Sequence, residues 1–177
     1  MTYRQLVAQS FTPRATEALS TRVAEVTSEL IGRIAATPRP DLIADFAAQL
    51  PVAIIAELLD LPADTHSRLL DWGHSGAPLL DIGIGWKTYR RAMDGLRGID
   101  HYLTEHFHQL RAGEPGDNPF SRLAADGTLT DRELTANAAL IIGAGFETTV
   151  NLIGNGIALL LQHPEQLARL PLKEDSS

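Results

Sequence analysis

The sequence predicts an all-α fold with little or no sheet. Apolar residues recur at spacings of three and four in almost every segment, prolines and glycines fall between those segments, and the longest apolar run opens on a complete helix-start signal. No internal repeat or low-complexity tract interrupts the pattern.

Thr12 before Pro13 is a helix start: a hydroxyl to cap, then a residue whose missing N–H costs nothing in the first turn. Leu19, Val23, Val26, Leu30 and Ile34 then form one apolar face to about residue 36, with Glu29 and Arg33 as an i, i+4 pair on the wet side. Pro38 and Pro40 end that helix. Asp41-Leu-Ile reads as a short stretch with room to be extended, and a second helix follows to about Leu59, with Pro51 at its start or at a kink. Leu61-Pro62-Ala-Asp opens a third helix through Leu69, Leu70 and Trp72. It is expected to decay among Gly73, Gly76, Pro78, Gly83 and Gly85, the loosest internal part of the chain and a candidate moving lid. A long helix spans about Ile84 to Arg111 and stops at Gly113-Glu-Pro-Gly, and a short turn of helix covers Phe120 to Ala125. Thr130-Asp-Arg-Glu133 is a capping box, and the helix it opens runs to about Gln162. Because that helix is apolar nearly all round, it is expected to be buried on most sides, as the central rod of a larger protein.

Composition narrows the function. With 177 residues, 44 % hydrophobic and 21 % charged, the chain suits one soluble globular domain. The net charge of −7 and the absence of a conspicuous Lys/Arg cluster argue against a nucleic-acid partner. There is no cysteine, so disulfides, thiolate metal sites and cysteine nucleophiles are excluded from this chain's own chemistry. The start of the chain has no signal-peptide pattern, and cytoplasm is the expected location. Residues 134 to 161 are long and apolar enough to cross a bilayer, but Glu147, Thr148, Thr149, Asn151 and Asn155 stand in their middle, and no membrane partner is expected.

Within the last helix stands Ala144-Gly145-Phe146-Glu147-Thr148-Thr149. Helical spacing puts Ile141, Ala144, Gly145, Thr148 and Leu152 on one face, where two very small residues leave a notch beside an acid and a hydroxyl. A glycine here weakens the helix by about 1 kcal/mol relative to alanine, so a neighbour should fill the space it leaves.

These residues resemble the oxygen-activating motif of the cytochrome P450 family of haem-thiolate monooxygenases. The resemblance extends through Asn151-Leu-Ile-Gly-Asn-Gly and Leu159-Leu-Leu-Gln-His-Pro-Glu-Gln-Leu. At the other end, Tyr3-Arg4-Gln-Leu-Val and Phe11-Thr-Pro-Arg14 are similar to the family helix that carries a haem-propionate arginine, which falls on Arg4. On this resemblance residues 1–170 are family-like, less than half of what the family fold requires, and 171–177 are an unrelated polar tail, so 1–177 is one partial cytochrome P450 domain. The resemblance implies haem as the parent cofactor. Thr148 would hydrogen-bond dioxygen on the iron, Glu147 would relay protons to it, and Ala144, Gly145 and Arg4 would face the haem. It also implies an apolar small-molecule substrate, a ferredoxin-type electron donor, and a lid around residues 76 to 85.

The family pattern is incomplete. The cysteine that ligates iron is absent, and so is any Glu-x-x-Arg. The chain by itself is therefore expected to bind no haem through a thiolate and to catalyse no oxygenation. The alternative is a non-enzymatic helical scaffold that self-associates, as a homo-oligomer, or binds a partner through the face that once met haem. Completion by a second chain carrying the cysteine is a third reading. Other constellations read as structural. His101, Glu105 and His108 share a helix face, but two histidines seven apart are about 10 Å from one another, too far for one ion. Trp72, Trp86 and Tyr89 are expected to pack rather than to bind a ligand.

Overall fold

The computed structural model describes residues 13–113 and 118–170, a helical bundle with no strand among them. Helix α1 (Pro13–Ala35) begins at the proline expected in its first turn. Its apolar face packs as read: Val26 and Leu30 are buried, and Leu19, Val23 and Ile34 flank them half-buried. Glu29 and Arg33 are both exposed. Ion pairs on this helix run from Arg22, 3.0 Å from Glu25 and 2.6 Å from Glu57, and the latter ties α1 to α2 (Gln49–Leu58).

Between these helices Asp41-Leu-Ile is not extended. The Asp41 carboxylate accepts the backbone N–H groups of Ile43 at 2.9 Å and Ala44 at 3.1 Å, which caps the chain into a helical turn. That turn, Ile43–Ala47, is a single π-turn closed by Ala48 N–H donating to Ile43 C=O at 2.9 Å. Pro51, buried in the first turn of α2, cannot donate to a carbonyl four residues back, and the wide turn precedes it where the ladder changes register.

After a short 3₁₀ turn (Ala63–Thr65), α3 (His66–Gly76) runs straight through Gly73 rather than decaying there. A neighbouring helix covers Gly73, and that packing outweighs its weak helix propensity. The candidate lid is a 3₁₀ turn (Ala77–Leu80) followed by an exposed bend through Gly83, whose φ of 88° suits glycine. At α4 (Trp86–Ala112) a Cβ at Gly95 would lie 3.3 Å from Ser75, and one at Gly98 would lie 3.6 Å from Trp72, so α3 crosses closely. Ala92, Ile99, Leu103 and Phe107 form its buried stripe.

Helix α5 (Pro119–Asp126) is capped by Asn118, whose side chain accepts Phe120 N–H at 2.8 Å, and Gly127 ends it at φ 68°. The Asn118 amide also donates to the Glu57 carbonyl, and Ser121 donates to Asp60, so α5 clips onto the end of α2. Phe107 and Phe120 stack at 6.0 Å in the centre of the core, which Leu59, Leu103 and Leu134 complete.

Helix α6 (Asp131–Gln162) is about 48 Å long and opens on the expected capping box. Thr130 Oγ1 accepts Glu133 N–H at 3.3 Å while Glu133 Oε2 accepts Thr130 N–H at 2.8 Å. Arg111, at the end of α4, donates to Leu129 C=O at 2.5 Å and sits 3.2 Å from Asp131, fixing this entry. A four-residue helix, α7 (Pro164–Leu167), follows.

The expectation that α6 is buried on most sides does not hold in this chain. Leu134, Thr135, Ala138, Ile142, Phe146 and Val150 make one buried stripe against α2, α3 and α4, and the opposite side is open. Leu140, Leu152 and Leu159 are 67 %, 75 % and 56 % exposed. By length and composition α6 qualifies as a membrane span, but its stripe packs into the bundle, and polar groups in mid-helix are costly in lipid.

Candidate functional site on the long helix

The Ala144-to-Thr149 motif lies in the middle of α6, where the buried stripe meets the open side. Ala144, Thr148 and Leu152 stand exposed together, one helical turn apart, with Ile141 and Gly145 half-buried at the border. Gly145 is turned toward α2: a Cβ built there would lie 3.3 Å from Ile55 Cδ1. The space that its missing side chain leaves is therefore filled by a leucine-sized branched residue. The helix-weakening glycine is explained by this close approach.

Thr148 Oγ1 donates to Ala144 C=O at 2.5 Å, one turn back. This commits the hydroxyl proton to the helix and leaves the oxygen lone pairs facing outward. Glu147 is half-buried, and its Oε1 accepts the Asn151 amide at 2.9 Å. One carboxylate oxygen is thus held and Oε2 is left for a second partner. The motif therefore sets an oriented hydroxyl oxygen one residue from a carboxylate with one open oxygen.

Phe146, between Gly145 and Glu147, is buried at 2 % exposure and points into α3. Its ring occupies the space above Gly73 and meets His74 edge-on, with centroids 5.5 Å apart. Gly73 and His74 were not singled out as partners of the motif by sequence reasoning, because they lie far from it along the chain. Asn151 carries a readable signal, its i+4 spacing from Glu147.

Arg4, the expected propionate arginine, lies outside the described residues. His101, Glu105 and His108 are all exposed, and among the described residues no group of three His, Cys, Asp or Glu side chains is placed to hold a metal. Trp72 packs on Tyr102 at 5.5 Å, whereas Trp86 and Tyr89 stack on one another at 5.5 Å on the surface beside the lid. His106 and His66 are both shifted by burial. Burial lowers the His106 pKa below the ordinary 6.5, opposed by its contact with the Leu59 carbonyl and by Asp60.

The chain is 44 % identical over 176 residues to cytochrome P450 140 of Mycobacterium tuberculosis, covering 95 % of this chain and 40 % of that protein. It is 38 % identical to the vitamin D(3) 25-hydroxylase of Pseudonocardia autotrophica, covering 98 % of this chain and 42 % of that enzyme. Among solved structures it resembles P450BioI in complex with an acyl carrier protein bearing hexadec-9Z-enoic acid. There the TM-score is 0.86 and the identity 31 %, over 95 % of this chain and 44 % of that one. It also resembles the myxobacterial cytochrome P450 CYP267B1 in complex with myristic acid, with a TM-score of 0.81 and 35 % identity, over 94 % and 41 % of the two chains. The chain thus spans about 40 % of the length of the relatives it matches. The cytochrome P450 family model matches residues 5–171, and with the long helix, its motif and these likenesses in agreement, the chain belongs to the cytochrome P450 family.

Proposed function

We propose that these residues are the oxygen-activating part of a haem-dependent monooxygenase acting on an apolar small molecule, and that alone they are catalytically silent. The observation that carries the reading is the site's composition: an oriented Thr148 hydroxyl and a half-open Glu147 carboxylate on a helix with no thiolate anywhere in the chain. The strip of Ala144 and Thr148 is small and open enough to lie against one face of a haem. The iron's own ligand is not among the residues present, so the chain does not fit the group as a whole, and no step is derived through it.

What the side chains do is narrower. Glu147 holds or releases a proton at Oε2, the oxygen that Asn151 leaves open, toward the open side of the helix. Thr148 Oγ1, its own proton donated to Ala144 C=O, accepts a hydrogen bond on the same side. Gly145 keeps Ala144 close to the packed side, and Arg4 serves a propionate in the complete fold. A ferredoxin-type donor and a cytoplasmic setting belong to the same reading. Support for an apolar substrate comes from two of the similar solved structures, which hold a fatty acid or an acyl chain.

The exposed leucines of α6 favour one second reading, a scaffold that self-associates through that side. Both readings are tested on the purified chain by haemin titration, reduction under carbon monoxide and an absorption spectrum, with sedimentation in parallel. The expected result is no thiolate-type Soret band. Such a band would overturn the silent-relay reading. A concentration-independent monomer would overturn the scaffold.

A further inference from the structure

Phe146 is buried from two sides by consecutive residues of α3. A Cβ built at Gly73 would lie 2.3 Å from Phe146 Cδ1 and 2.4 Å from Cε1, closer than any side chain can approach, so the ring takes the space a residue other than glycine would need. His74 meets the same ring edge-on at 89°. One position earlier, Gly145 receives Ile55 of α2. Residues 145 and 146 are therefore interlocked with two different helices, and the half-buried Glu147 and exposed Thr148 come directly after them. Three residues past Gly73, α3 ends and the lid turn Ala77–Leu80 begins. A packed aromatic ring does not compress, so a sliding or tilting α3 must displace either the ring or the backbone that carries it.

We propose that Phe146 is a positioning residue: seated in the gap left by Gly73, its ring passes the position of α3 and the lid turn to Glu147 and Thr148. The inference rests on the reading of those two residues as the relay, and it adds the route by which closing the lid sets their placement. Gly73 is required for the seat, and His74 guides the ring edge.

Amide hydrogen exchange of the purified 177-residue chain, read by mass spectrometry, tests this. The variants are Gly73→Ala, Phe146→Leu, the pair together, and Leu103→Ala as a core control remote from the ring. Gly73→Ala is expected to speed exchange about tenfold in both 77–85 and 144–150. The double variant, whose shorter side chain makes room for the new methyl, is expected to restore both segments together. The control is expected to speed exchange across the bundle without singling out that pair. Faster exchange at 77–85 with 144–150 unchanged would overturn the proposal, as would the same paired pattern in the control. If Gly73→Ala does not fold, Phe146→Leu decides: a rise at 77–85 alongside 144–150 supports the coupling, and a lid at its original rate refutes it. No haem enters this measurement, so a failed relay reading and a failed coupling give different results.

Discussion

Along α6, Leu134, Ala138, Ile142 and Phe146 are covered by three neighbouring helices, whereas Leu140 on the far side and Leu152 and Leu159 past the last covered turn stand in solvent. Both sets are apolar, so the difference lies in what covers them and not in what they are made of. A leucine left exposed forgoes about 1.5–3 kcal/mol of burial. An uncovered row of them on the helix that also bears the relay motif accords with a chain spanning about 40 % of its relatives' length. The covered side supplies this chain's stability, and Ala144 and Thr148 of the motif lie on the open one.

The largest effect that sharpens this contrast is expected at Phe146. Phe146→Ala empties a site with 2 % exposure and should cost about 3–5 kcal/mol in urea unfolding. A loss below about 1 kcal/mol would mean that the covered side is not the stabilising one. Thr130→Ala removes the cap that starts both sides together and should cost about 1 kcal/mol, with Thr130→Ser retaining most of it.

A smaller, pH-dependent effect belongs to the covered region. His106 has a folded pKa below the unfolded 6.5 because burial disfavours its charge, so the unfolded chain binds the proton more readily. Its contribution is complete above pH 6.5 and is lost as pH falls from there toward the folded value. Melting temperatures should drop between pH 7 and pH 5, and His106→Gln should flatten that slope. His66, lowered by burial as well, leaves a residual slope in the variant. The smallest effect is expected on the open side. Leu152→Ala should change stability by no more than about 0.5 kcal/mol, while any self-association through that face weakens in sedimentation.

Much of this was legible in the sequence wherever the determinant is local. The capping box at Thr130, the proline start of α1, the apolar stripe through Val26 and Leu30, and the end of α6 at Gln162 all stand where spacing put them. Asp41 escaped because an aspartate followed by two apolar residues also fits an extended segment until its carboxylate is seen to bond the next turn. Gly73 escaped for a different reason. A glycine reads as a breaker unless one knows that a phenylalanine 73 positions later fills the space above it. The motif itself was readable as Ala144 to Thr149, but which side of an evenly apolar helix would be covered was not, since no polar stripe marks it. The turning of Gly145 toward Ile55 follows from that packing alone.

The close approaches along α6 also bear on how the chain tolerates change. Gly73 receives Phe146, Gly145 receives Ile55, and Gly154 receives Ile43, whose Cδ1 is 2.6 Å from where a Cβ would stand. In each pair a missing side chain on one helix is matched by a bulky one on another. A library that randomises positions singly should therefore score Gly73 as intolerant, because a buried ring stands over it, and Gly145 and Gly154 as milder, because only the end of an isoleucine side chain must move. Randomising Gly73 and Phe146 together should recover alanine or serine at the glycine with a trimmed partner, so these two positions change as one unit.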